Sequence, residues 1–168
     1  MTVPPAAKGR KQRLVRRDAP DDLLLVIRAT PASRALAVEK IAEDAELSAR
    51  IYLVELRQGE RQLLYGVSVF AHRAGHELTE VLDRFPFAPM FIEAPVGVIR
   101  SAGCDVIATG ENPDHFDVQL IPGVGERDAP PSRRELRAAA AQLLDAAGEL
   151  RPNPSYAGGA DDQSEVNE

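Results

Sequence analysis

The sequence predicts an α+β domain: a largely antiparallel sheet with helices packed mainly on one face, in the order βαββαβαββα. Three observations carry this reading. Apolar runs of strand length recur, at Leu23–Ala29 and again at Leu63–Phe70. Two stretches, His76–Phe85 and Ser132–Ala147, carry apolar residues at helical spacing. Glycine-bearing turns short enough for hairpins separate successive strands, at Gln58-Gly59-Glu60 and at Gly110-Glu111-Asn112-Pro113-Asp114.

Taken in order, Asp18–Asp22 is a turn-like approach containing Pro20, and the continuous apolar run Leu23–Ala29 reads as a buried strand. Thr30-Pro31 then has the chemistry of a helix start, because threonine can accept from orphan N–H groups and proline lacks a donor that would be unsatisfied there anyway. The helix extends to Ser48, with Leu36, Ile41, Ala45 and Ser48 on one side and Glu39, Glu43 and Glu46 toward water. Arg50–Arg57 and Arg61–His72 read as strands, the second apolar on both faces and so central, with Gly66 marking a bulge or a close crossing.

In the next helix, Leu78, Val81, Leu82 and Phe85 form the stripe, and Pro86 and Pro89 end it. Met90–Glu93 is short and extended, Pro95–Ala102 is a short helix, and Gly103 suits its left-handed cap. Cys104–Thr109 and His115–Ile121 pair as strands. Phe116, Val118 and Leu120 take one face of the second, leaving His115, Asp117 and Gln119 on the other, exposed or cleft-facing side. After the polar linker Pro122–Pro131, Ser132 and Glu135 form a capping box. The helix they open buries Leu136, Ala139, Ala140, Leu143, Leu144 and Ala147, and Gly148 lies near its end.

Composition narrows the function classes. At 168 residues the chain holds one core, and its 44% apolar content is enough to fill it. With no Trp and only 5% aromatic residues, it offers neither an aromatic cage nor a wide base-stacking platform. One cysteine excludes an intrachain disulfide and a cysteine-based zinc site, and no cofactor is expected. The net charge of −6 argues against a body coated in nucleic acid. No apolar stretch approaches the ~18 residues of a membrane span, and none has the length of a secretory core, so a soluble cytoplasmic protein without membrane contact is expected. Arginine outnumbers lysine 17 to 3 and alanine is abundant, a bias of GC-rich bacterial coding sequence.

Charge is concentrated at the ends. Lys8, Arg10, Lys11, Arg13, Arg16 and Arg17 precede the first acid, whereas Asp161, Asp162, Glu165 and Glu168 crowd the other end. The expectation is a disordered basic arm over 1–18, a single α+β domain over 19–150 and a disordered acidic tail over 151–168. Those six cations would be the contacts for an anionic partner, including weak, sequence-insensitive nucleic-acid binding.

Several groups merit chemical scrutiny. His72 and His76 have the spacing of two ligands on a helical turn, but they straddle Gly75 and have no obvious third ligand, so loop histidines are expected. His115 and Asp117 share one face of a strand, where a carboxylate can orient an imidazole as general base. The stretch Val96-Gly97-Val98-Ile99-Arg100-Ser101-Ala102-Gly103-Cys104-Asp105-Val106, followed by a glycine turn and His115, resembles part of the HicA-type messenger-RNA interferase toxins. In that family a helix leads through glycine into a strand, and a Gly-Ser-His turn carries the catalytic histidine. The resemblance implies a catalytic role for His115. This chain departs from it with Asn112-Pro113-Asp114 in place of Gly-Ser, and the family is shorter and basic.

Pro122-Gly123-Val124-Gly125 lacks the third glycine and the prompt helix of a dinucleotide site. Cys104, in an apolar strand beside Asp105, reads as a buried small residue. Arg133, Arg134 and Arg137 solvate a helix face. The function expected is therefore a small interaction or regulatory protein without catalysis, such as the partner of a toxin or accessory-gene product. The alternative is a small hydrolase or RNase-like enzyme using His115 and Asp117.

Overall fold

A computed structural model describes residues 9–29 and 33–158. Nine strands and four helices follow one another as β1 (Lys11–Arg17), β2 (Leu24–Ala29), α1 (Arg34–Ile51), β3 (Tyr52–Glu55), β4 (Arg61–Leu63), β5 (Gly66–His72), α2 (Leu78–Leu82), β6 (Met90–Pro95), α3 (Val96–Ser101), β7 (Asp105–Thr109), β8 (His115–Gln119), α4 (Arg133–Ala147) and β9 (Arg151–Pro152). The strands form one sheet in the order β4-β3-β1-β7-β8-β5-β2-β6-β9. Every neighbouring pair is antiparallel except β1 with β3. The α+β class and the largely antiparallel sheet are as expected.

The main core lies between the sheet and α1, α3 and α4. It contains Leu25, Ile27, Val69, Ile92, Phe116 and Val118 from strands, and Ile41, Ile99, Leu136, Leu143 and Leu144 from helices. Helix α2 packs on the other face, where Val81, Leu82 and Phe85 meet Val26 and Phe91. That helix is shorter than the apolar stripe suggested, because it tightens into turns closed by Arg84 N–H to Val81 O and Phe85 N–H to Leu82 O.

Three features depart from the sequence reading. Residues 1–18 are not a uniform arm. Positions 1–8 lie outside the described residues, but Lys11–Arg17 is a strand inside the sheet, parallel to β3 on one side and antiparallel to β7 on the other. The run looked unfoldable because Leu14 and Val15 are its only apolar residues, yet Arg13 and Arg17 find acceptors within the domain. Residues 151–168 divide similarly. Arg151–Pro152 pairs with β6, and buried Asn153 donates from Nδ2 to Phe85 O (3.2 Å) and Ala88 O (2.8 Å); positions 159–168 lie outside the described residues. The single strand expected over 61–72 is two. At Leu64-Tyr65 the chain passes from one half of the sheet to the other, with Tyr65 O accepting from Leu120 N at 2.8 Å. Gly66 opens the second strand because an added Cβ would lie 2.8 Å from Val118 O.

The helix start expected at Thr30-Pro31 falls outside the described residues. The described helix begins at Arg34, with Ser33 Oγ accepting from Leu36 N. Its buried face is Ala37, Ile41, Ala42, Ala45 and Ala49, so Leu36 and Leu47 point outward. Helix α4 has the predicted capping box between Ser132 and Glu135. Arg133 and Arg137 do not merely solvate its surface: Arg133 bonds Glu39 (3.0 Å) and Glu46 (2.9 Å), and Arg137 bonds Glu39, clamping α4 to α1.

A chain starting at Asp18 would lack the strand that joins β3 to β7. Its melting temperature should fall by more than ~8 °C in scanning calorimetry. An unchanged melting temperature would show that the sheet closes without β1.

Candidate functional site

The face of the sheet turned away from α1 and α4 carries the histidine and aspartate singled out above. Register places Asp117 between Ile107 and Ser68, and His115 beside Phe70. Asp117 is only 1% exposed. Its carboxylate accepts from Arg13 Nη1 at both oxygens (3.1 and 3.0 Å), from Thr109 Oγ1 (2.5 Å) and from Ser68 Oγ (3.3 Å). His115 is half-buried, with Nδ1 at 3.3 Å from Thr109 O and the ring edge-on to Phe70. The two residues share a face, as expected, but no direct hydrogen bond joins them among the described residues; Thr109 Oγ1 lies between, 3.4 Å from His115 Nδ1 and 2.5 Å from Asp117 Oδ2. The face is also not solvent-facing at Asp117 and Gln119, because side chains from other strands close over it.

The six basic residues are distributed differently from a binding arm. Lys8 lies outside the described residues, Arg16 sits within β1, and Lys11 is exposed. Arg10 Nε donates to Ala49 O at 2.8 Å. The Arg13 guanidinium, besides its pair with Asp117, lies 3.7 Å from the Tyr52 ring centroid. Arg17 donates to the carbonyls of Gly110, Asn112 and His115 in the β7–β8 turn. Three of these cations therefore hold the domain together.

His72 and His76 do not converge. His72 Nδ1 lies 2.7 Å from Glu93 Oε2 and its Nε2 lies 2.8 Å from His76 O, while the His76 ring reaches Glu80 instead. Among the described residues no three His, Cys, Asp or Glu side chains form a group able to hold a metal ion. With an oxygen acceptor at each ring nitrogen, His72 satisfies both as imidazolium. Burial alone would lower its pKa, but the Glu93 hydrogen bond and the His76 carbonyl outweigh it and raise the group above its ordinary value of 6.5. A cavity of about 570 Å³ opens beside it, lined also by Pro20, Leu23 and Gly75. Cys104 is buried as expected, and burial, then the neighbouring Asp105 charge, push its thiol up to about 11.

The most distinctive surface lies elsewhere, where the sheet parts. The β2–β5 ladder ends at Val26 opposite Phe70. Yet β2 continues to Ala29 against β6, and β5 reaches back to Gly66 against β8. A cavity of about 210 Å³ occupies the opening, between Arg28, Gly66 and Ser68 of the strands and Leu47 and Ile51 of α1. A second hollow of about 240 Å³ adjoins it at Arg28 and Asp44 and is bounded by Ile41 and Phe87. Leu47 is 54% exposed, Phe87 60% and Ile51 38%. The Arg28 guanidinium lies 5.3 Å from the Phe87 ring centroid and has no carboxylate partner among the described residues. Sequence reasoning missed this seam. The available signal was in α1, where alanines line the buried face and leave leucines out of phase.

Comparison of the chain with protein-family models, with curated proteins and with solved structures finds no match. The short likeness to the HicA-type toxins is thus unaccompanied by a family match.

Two outcomes follow from these contacts. Arg13→Met leaves a buried carboxylate unanswered and should cost about 3–5 kcal/mol in urea denaturation, whereas adding Asp117→Leu should restore most of it. A single variant as stable as the parent would mean that Asp117 is solvated. For His72, a folded pKa above the unfolded value stabilises the protein fully below pH ~6.5, and the contribution disappears as pH rises through the folded pKa. Urea midpoints of the parent should therefore decline relative to those of His72→Gln as pH rises from about 6 to 8; parallel profiles would contradict the raised pKa.

Proposed function

We propose that this chain is a binding module without catalysis, which recognises another protein at the seam between β2 and β5. The observation that carries the reading is the grouping of Leu47, Ile51 and Phe87, all exposed, around a concave break in a sheet. Single exposed apolar residues are ordinary, but a contiguous set around a concavity is the signature of a docking surface. Arg28 lies at its centre and supplies the polar contact that fixes orientation.

A hydrolase using His115 as general base draws less support, since the Asp117 oxygens are already engaged by Arg13, Thr109 and Ser68. A nucleic-acid arm is weakened likewise, because Arg10, Arg13 and Arg17 are bound within the domain. No helix among the described residues is long and apolar enough to cross a membrane. The arginine-rich composition and the lone buried cysteine support a bacterial, cytoplasmic setting.

A photoreactive phenylalanine analogue at position 87, in native cells, should yield a discrete protein adduct that Leu47→Asp removes. The same analogue at Arg134, exposed on α4, should yield none. An adduct from position 134 alone, or one from 87 that ignores Leu47→Asp, would overturn the assignment of this surface.

A further inference from the structure

Resting on that reading, we propose that the partner enters the seam as an extended acidic segment and pairs as an additional strand along β5 at Gly66–Val69. The backbone supplies the first argument. Gly66–Val69 pairs with β8 on one side, and Gly66, Val67 and Ser68 line the opening where the β2 ladder has ended. An antiparallel strand directs alternate N–H and C=O groups to each side, so this stretch presents groups that another strand can engage.

The two walls of the seam supply the second argument, because they differ in chemistry. Helix α1 bounds one side with Leu47 and Ile51, and the opposite face of the sheet bears Arg28 and Ser68. Side chains of an inserted strand alternate between these faces. One set meets leucine and isoleucine, and the other meets a guanidinium. Neighbouring charges are already matched: Asp44 pairs with Lys40 at 3.1 Å and Arg13 pairs with Asp117 at 3.0 Å. Arg28 is the seam cation without a carboxylate partner among the described residues, so the complementary sequence alternates apolar and acidic residues.

The test uses a capped, fluorescent heptapeptide alternating glutamate and valine, with a lysine–valine counterpart, titrated against the full chain by anisotropy. The acidic peptide should bind saturably and at least tenfold more tightly than the basic one. Arg28→Glu, shown by its melting curve to be folded, should remove that preference. Alternate N-methylation of the peptide should abolish binding, and amides within Gly66–Val69 should gain hydrogen-exchange protection on complex formation. Equal binding of both peptides, or binding indifferent to N-methylation, would overturn the inference, as would failure of both to bind. A dimer in sedimentation equilibrium that Phe87→Asp dissociates would make a second copy the occupant and overturn it too. If the peptides fail while the adduct at position 87 persists, the docking surface stands and the acidic strand falls; if both fail, so does the module reading.

Discussion

The charge on Asp117 is sealed inside the molecule, and the guanidinium of Arg13 answers it. A buried carboxylate is costly unless it is paired and its remaining lone pairs are bonded, and here Thr109 and Ser68 complete the set. These donors come from three different strands, β1, β7 and β5. One carboxylate thereby ties β1, β7 and β5 to its own strand β8 at the centre of the sheet.

A second constraint shapes the surface. Alanine at positions 37, 42, 45 and 49 lets α1 sit close to the sheet. Ile41 is buried with them, but Leu36, Leu47 and Ile51 are displaced outward, and the last two form the wall of the seam. The acidic side of the same helix meets α4, where hydrogen bonds from Arg137 and Arg133 hold Glu39 below its ordinary pKa despite partial desolvation. Such exposed pairs add modest stability and weaken with salt, but they orient α1 so that its outward leucine and isoleucine overlook the break between β2 and β5.

Much of the architecture was legible because it is local. The helices announced themselves by periodicity, the capping box at Ser132 by spacing, and Gly59 and Gly103 by the positive φ that their turns require. What escaped is non-local. Lys11–Arg17 looked like a solvated arm because its stabilising partners are carbonyls and a carboxylate contributed by distant segments. The alternation in β8 correctly separated His115, Asp117 and Gln119 from Phe116, Val118 and Leu120, but it could not reveal that both sides of the strand are covered. The seam escaped because the end of a ladder is decided by the strands on either side, not by the residues that run past it.

The place of β1 also has a consequence for biosynthesis. Arg13 and Asp117 are 104 positions apart. Strand β1 therefore waits for β7 and β8, which are made long after it, before its charge is met and its second edge is paired. During that interval β2, β5 and β6 can already associate, whereas β1 has only β3 to pair with. Completion of the sheet is consequently a late, long-range closure, the kind of step that slows folding.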